Sequence, residues 1–171
     1  MNIARARQAF RAVPDLLNYK TLLYIGASIA RNEMLSYFIK KDYEITIMEA
    51  WMENVLYYRK NSKFNIIQAD VRNVSKIPLA NFDVVMWWHG PEHVEKKLLP
   101  DIFNELFKHT KKILILACPW GKYEQQAVKG NPYEVHRSHL YPEFFKELGF
   151  KTSTLGKKDR RGSNLVAWKR K

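Results

Sequence analysis

Five short apolar segments, three of them followed by a segment of helical character, dominate the first two thirds of the chain. Strands are predicted at residues 21–25, 44–49, 64–69, 82–88 and 112–117. Helices are predicted between them at residues 29–40, 50–59 and 91–110, with Pro100 expected to kink or split the last one. Strands that alternate with helices pair in parallel, because each crossover helix returns the chain to the same edge of the sheet. The predicted fold class is therefore α/β, a three-layer sandwich.

The end of the chain predicts a different pairing. Strands predicted at residues 150–155 and 164–168 are separated only by the polar turn 156–163, which is too short for a parallel crossover. We therefore expect a mostly parallel seven-stranded sheet with an antiparallel last strand. The 171 residues are predicted to form a single domain, with an N-terminal helix in residues 1–19 and the core in residues 20–169.

The first predicted strand breaks at Gly26 and leads into a helix. Gly26 permits a tight turn and the close approach of a ligand to the backbone. Ala27 and Ser28 are small, and Ser28 is predicted to cap the helix that begins at Ile29. Glu49 ends the second strand 23 residues after Gly26, near the spacing of about 20 expected of an acid that binds ribose. A chance acid after an ordinary strand and turn is the alternative.

Composition and charge exclude several classes of protein. The net charge is +12, and residues 151–171 alone contribute +7, which fits either solvated lysines or a nucleic-acid binder. No apolar run approaches the roughly 20 residues of a membrane span, so no membrane association is expected. Residues 1–14 lack the apolar core of a signal peptide. Cys118 is the one cysteine, which excludes an internal disulfide and fits a reducing, cytoplasmic compartment.

Histidines follow two neighbouring predicted strands. His89 and His93 come after the fourth strand, and His136 lies in the long loop after the fifth. We expect them at one rim, because ligands of such sheets bind beyond the carboxyl ends of the strands. His93 or His136 is predicted to accept a substrate proton, since general bases are often histidines. Helix packing by His93 and a surface position for His136 are the alternatives.

One histidine pattern resembles a metal motif. His89-x-x-Glu92-His93 has the spacing of the inverted zinc peptidases. That motif needs both histidines on one helix, whereas Gly90-Pro91 starts a helix between them. No metal site is therefore predicted.

Residues 20–169 resemble the class I S-adenosylmethionine-dependent methyltransferases. The turn at Gly26 corresponds to the first motif of that family, although only one of its three glycines is present. Glu49 corresponds to the acid that holds the ribose hydroxyls, and Asp70 to the acid that contacts the adenine amine. The resemblance implies a Rossmann-like fold, methyltransferase activity and S-adenosylmethionine as the cofactor. It implies these cofactor-binding residues: Gly26, Ala27, Ser28, Glu49, Asp70, Val71, Trp88 and His89.

The loop 118–136 is predicted to be a mobile lid over the acceptor. A small or medium-sized acceptor is expected, with a nucleic acid as the alternative; an acidic acceptor would suit the basic turn 156–163. The oligomeric state is unknown. The predicted substrate-binding residues are Trp120, Tyr133, Arg137, Lys158 and Arg160.

Two other functions stay open. One is a non-catalytic or weakly active module of the same fold that binds RNA or another anionic partner through its basic end. The other is a nicotinamide-binding Rossmann protein, which shares the glycine turn and the ribose acid. The nicotinamide interpretation ranks lower because it predicts neither Asp70 nor the antiparallel last strand.

Overall fold

The structure is a computed structural model that describes residues 2–29, 33–61 and 63–171. Within these ranges one seven-stranded sheet has the order β3-β2-β1-β4-β5-β7-β6. Its strands are β1 (Thr21–Ile25), β2 (Glu44–Glu49), β3 (Phe64–Gln68), β4 (Phe82–Trp88), β5 (Thr110–Cys118), β6 (Lys151–Leu155) and β7 (Asn164–Arg170). Strands β1 to β5 pair in parallel, and β7 runs antiparallel to both β5 and β6. The predicted α/β fold with its antiparallel last strand is confirmed.

Five α-helices flank this sheet in the described residues. They are α1 (Asn2–Ala12), α2 (Glu33–Ile39), α3 (Met52–Arg59), α4 (Leu99–Lys108) and α5 (Pro142–Glu147). Ile29, where a helix was expected to begin, lies in a turn, and the described part of α2 begins at Glu33. The predicted cap by Ser28 concerns the amides of residues 30–32, which lie outside the described residues. None of the described helices is long and apolar enough to cross a membrane.

Pro100 lies where the predicted helical region is split, which is one of the two expected outcomes. The structure has single helical turns at Pro91–His93 and Lys96–Leu98, and α4 then begins with Pro100 in its first turn. A proline suits this position because the first amides of a helix have no partner within the helix. The predicted helix over residues 91–110 is thus split, and His93 lies in a short turn beside the end of β4.

The sheet separates two apolar cores. Side chains alternate between the faces of a strand, so Met86 and Trp88 pack towards α1 and α2, whereas Val85 and Trp87 pack towards α4 and α5. The two adjacent tryptophans therefore lie on opposite faces of the sheet.

Helix α1 is held across the antiparallel end of the sheet by a buried amide pair. The amide group of Gln8 donates to the carbonyl of Ser153 at 2.8 Å, and its oxygen accepts from the amide of Asn164 at 2.9 Å. Asn164 is fully buried. These bonds fix the direction of α1 and bring Arg5, one turn earlier, to the carboxyl end of β4.

An ion pair joins the segment after α1 to the last strand. Arg170 donates from Nη2 to Oδ1 of Asp15 at 2.6 Å and from Nη1 to Oδ2 at 3.1 Å. The hydrogen bond from Arg170, helped by one from Tyr19, lowers the pKa of Asp15 to about 2. A carboxyl with a lowered pKa stabilises the fold above its unfolded pKa, and this contribution is lost as pH falls through the folded pKa.

We expect Asp15→Asn to lower the free energy of unfolding at pH 7 by at most about 1 kcal/mol, because the pair is half exposed and screened by water. The difference from the wild type should shrink between about pH 4 and pH 2 as Asp15 protonates. Urea unfolding at several pH values measures it, with the exposed Glu44→Gln as the control. A difference that persists at pH 2 would contradict an origin in the ion pair.

Candidate functional site

An open cleft lies beyond the carboxyl ends of the parallel strands. It contains about 1120 Å³ of empty space, part of which is open to solvent. Residues that follow β1, β2, β3 and β4 line it, at the edge where open α/β sheets bind ligands. The predicted site residues that line it are Gly26, Ser28, Glu49, Asp70, Val71, Trp88, His89, His93, Tyr133 and Arg137.

The turn after β1 exposes backbone to this cleft. Gly26 has a φ of +74°, and its amide donates to the carbonyl of Met48 at 2.9 Å. A Cβ added at Gly26 would lie 3.8 Å from the nearest atom of Trp87, so conformation and not space requires the glycine. Ala27, predicted to bind the cofactor, is instead buried in the core beneath the turn.

Glu49 ends β2 with its carboxylate at the cleft wall. The side chain is 5% exposed and accepts a hydrogen bond from the amide of Trp51 at 2.8 Å. Burial raises the pKa of Glu49, and the hydrogen bonds from Trp51 and Asn54 oppose this only in part. Burial removes the water molecules that would otherwise donate hydrogen bonds to the Glu49 carboxylate. Hydroxyl groups of a ligand in the cleft could donate hydrogen bonds in their place.

Asp70 follows β3 and is paired with Arg72. It accepts from the Arg72 amide at 2.9 Å and from Nε of the same residue at 3.0 Å. Burial acts to raise the pKa of Asp70, but the hydrogen bonds from Arg72 outweigh it and the pKa lies below its usual value. The guanidinium also lies 5.8 Å from the ring centre of Tyr133. Asp70 is therefore a charged acceptor in the lining of the cleft.

The chain after β4 is sharply bent. His89 adopts a φ of +53°, which is uncommon for a residue with a side chain. Its Nε2 accepts from the guanidinium of Arg5 at 3.3 Å, so Nδ1 carries the proton and faces Oε1 of Glu92 at 3.4 Å. The bend thus directs His89 to one carboxylate oxygen of Glu92, on the inner side of the cleft.

Glu92, His93 and His136 meet behind this bend. The rings of the two histidines have centroids 5.0 Å apart, and Glu92 is 3% exposed. Burial raises the pKa of Glu92, against the opposing charges of the two histidines, and burial lowers the pKa of His93. Among the described residues, Oε2 of Glu92 has no hydrogen-bond partner.

Besides Ala27, four predicted site residues do not line the cleft: His136, Trp120, Lys158 and Arg160. His136 lies behind His93 and also contacts the ring of Tyr123.

Trp120 lies at the start of the loop after β5, and Lys158 and Arg160 lie in the turn before β7. These two segments pack against each other and not over the cleft, whereas Tyr133 and Glu134, later in the same loop, line it. Asp159 is the reason: its carboxylate accepts from the Lys122 amide at 2.6 Å and from the Tyr141 hydroxyl at 3.0 Å. Lys158 then lies 4.8 Å from the ring centre of Tyr141, and the turn is held away from the site.

Several cleft residues carried no signal in the sequence. Arg5 reaches the cleft from α1, and Asn54 reaches it from α3, where it accepts from the Ile29 amide at 3.5 Å. Arg72 and Glu134 also line it. Glu92 lies next to the cleft lining without belonging to it, and the one pattern that contains it requires a continuous helix over residues 89–93.

No protein-family model matches the chain, and no curated protein matches its sequence. Solved structures do match its fold. A SAM-dependent methyltransferase from Archaeoglobus fulgidus superposes with a TM-score of 0.68 at 15% identity, over 100% of this chain and 95% of that chain. The magnesium protoporphyrin IX methyltransferase of Synechocystis PCC 6803, with bound SAH, gives 0.63 at 10% identity, over 98% and 84% of the two chains.

A third structure extends the comparison to another acceptor. The plantazolicin methyltransferase BpumL, in complex with a pentazolic desmethylPZN analog and SAH, gives a TM-score of 0.70 at 16% identity, over 99% of this chain and 83% of that chain. The present chain therefore has the class I methyltransferase fold, as the resemblance of its motifs implied.

Proposed function

We propose that this chain is an S-adenosylmethionine-dependent methyltransferase. The observation that carries the proposal is the meeting of Gly26, Glu49 and Asp70 in one cleft. Their order along the chain matches the turn, the ribose acid and the adenine acid of the family. The fold of the sheet supports the same function, since the structures it matches hold SAM or SAH.

Each wall of the cleft would hold a different part of the cofactor. Glu49 would accept hydrogen bonds from the ribose hydroxyls, and Asp70 from the adenine amine while it remains paired with Arg72. The positive φ of Gly26 would let the cofactor approach the backbone closely. When bound, S-adenosylmethionine supplies an electrophilic methyl group. The chain itself positions the acceptor for in-line attack and excludes water.

The acceptor would lie between β4 and the loop after β5. Tyr133 and Arg137 line this side of the cleft, and two further arginines, Arg5 on α1 and Arg72 in the helical turn after β3, also line it. These arginines favour a small or medium-sized acceptor with an acidic group. The basic turn 156–163 does not contribute to this side of the cleft. That the loop 118–136 acts as a lid, and that His93 or His136 accepts a proton, both stay predictions.

The proposal also includes the domain organisation and the cellular location of the protein. A single domain fits the one sheet that carries both cores. A cytoplasmic location fits the buried thiol of Cys118, which has no disulfide partner among the described residues.

Calorimetry with S-adenosylhomocysteine tests the proposal most directly. We expect one molecule to bind per chain, and NAD to bind far more weakly or not at all. Binding of NAD in preference to S-adenosylhomocysteine would favour the nicotinamide interpretation. Absence of binding by either ligand to the folded protein would contradict the proposal and favour a binding module of the same fold.

A further inference from the structure

A group of potential metal ligands lies beside the cofactor cleft, apart from the residues assigned to the cofactor. One ring nitrogen each from His93 and His136 and one carboxylate oxygen of Glu92 lie within 4.8 Å of one another. We propose that these three side chains bind a divalent transition-metal ion. Two imidazoles and one carboxylate are a ligand set that zinc and iron sites in enzymes use, with one or more positions left open.

Both histidines are held in a tautomer that leaves one ring nitrogen free to bind a metal. The carbonyl of Val135 lies 3.2 Å from Nδ1 of His93, and the carbonyl of Tyr123 accepts from Nδ1 of His136. Because a carbonyl only accepts, each Nδ1 carries the proton and each Nε2 keeps its lone pair. Metal-binding histidines almost always donate their other ring proton to a carbonyl or carboxylate in this way.

Glu92 supplies an anion that lacks a partner for one oxygen. It is 3% exposed, and its Oε2 has no hydrogen-bond partner among the described residues. Its other oxygen faces the Nδ1 proton of His89, which in turn accepts from Arg5. Burial of an unsatisfied carboxylate oxygen is costly, and a cation bound between the carboxylate and the two histidines would remove that cost.

The distances permit binding after a small adjustment. Ligand atoms at about 2.0–2.3 Å from a tetrahedral ion lie roughly 3.3–3.7 Å apart. The present group therefore has to contract by about an ångström. His136 can supply this movement because it lies in the loop after β5, whereas His93 and Glu92 are fixed in the turn Pro91–His93.

The position of the ion suggests its use. His93 lines the cleft, so an open coordination position next to it would face the acceptor. A bound metal lowers the pKa of a coordinated hydroxyl and holds it in place. This role, unlike the site itself, rests on the proposed methyltransferase function. The ion would occupy the lone pairs that a proton acceptor needs, so it would replace the proton transfer predicted for His93 or His136.

Titration of the metal-free protein with cobalt(II), followed by zinc competition, tests the site without an acceptor. We expect one equivalent of cobalt(II) to bind and to give a visible absorption band that zinc abolishes. His136→Ala should weaken binding by more than the 10–100-fold typical of losing an outer-shell partner. Glu92→Gln should do the same. Because Glu92 is buried, His136→Ala decides the test if the Glu92→Gln variant does not fold.

His109→Ala is the matched control, because His109 pairs with Glu105 at 3.6 Å at the end of α4, outside the group. It should bind cobalt(II) like the wild type. Equal binding by the wild type and His136→Ala, or no binding at all, would overturn the proposal. Calorimetry with S-adenosylhomocysteine on the same metal-free samples keeps the two proposals separate, since cofactor binding needs none of these three residues.

Discussion

Replacement of Gly90 by alanine should lower the free energy of unfolding by about 3 kcal/mol or more, the upper end for inserting a methyl group into a packed core. A Cβ at this position would lie 1.7 Å from Nε1 and 2.1 Å from Cδ1 of Trp87. The indole cannot move away easily, because it is buried and its ring contacts Phe103. The bend that carries His89 towards Glu92 would be displaced as well.

Thermal unfolding should show this as a fall in Tm of about 6–12 °C for a chain of this size. We also expect loss of S-adenosylhomocysteine binding, because Trp87, His89 and Gly90 itself line the cleft. Gly130→Ala is the control: its added Cβ meets no atom within 4 Å, so only its φ of +79° opposes the change. That variant should lose about 1–2 kcal/mol. Equal losses in the two variants would contradict a clash with Trp87.

Several strands could be predicted because their sequences share a local pattern. The bounds predicted for β1, β2 and β4 agree with the structure, since each is a short apolar run closed by a polar residue or a glycine. The antiparallel last strand followed from the length of the turn before it, which leaves no room for a crossover. The meeting of Glu49 and Asp70 at one edge followed from the parallel pairing itself.

Contacts between residues far apart in the chain determine which other side chains reach the cleft, and the sequence did not predict them. Arg5 reaches the cleft because Gln8 binds Asn164, a contact across most of the chain. Trp120, Lys158 and Arg160 miss the cleft because Asp159 ties the two loops together. No local pattern encodes either contact.

The group of Glu92, His93 and His136 combines two separate segments of the chain. The local pattern His89-x-x-Glu92-His93 does not predict a metal site, because its two histidines are not on one helix. The structure confirms that no helix joins them, and it supplies His136 from the loop after β5 instead. A ligand set assembled from two separate segments has no fixed spacing, so a search for local motifs does not find it.

Replacement of Glu49 by glutamine should weaken S-adenosylhomocysteine binding by about 1–3 kcal/mol, the range for losing hydrogen bonds to a charged group. This corresponds to roughly a 5- to 150-fold rise in Kd. Glutamine keeps the shape of the side chain and an acceptor for the Trp51 amide. Calorimetry measures the loss, and Glu53→Gln on α3 is the control, because Glu53 is exposed and does not line the cleft.

The Glu49→Gln substitution should not lower the free energy of unfolding at pH 7, although it weakens cofactor binding. Burial raises the pKa of Glu49, so the surroundings of this carboxyl group disfavour its charged form in the folded chain. A carboxyl with a raised pKa contributes stability below its unfolded pKa and loses it as pH rises through the folded pKa. At pH 7 the glutamine variant should therefore unfold at the same urea concentration as the wild type or a higher one. Its advantage should disappear below about pH 4, where Glu49 is protonated in both states. A folded Glu49→Gln variant with unchanged affinity would remove Glu49 from the cofactor site, whereas a destabilised one would show that its carboxylate is a structural group.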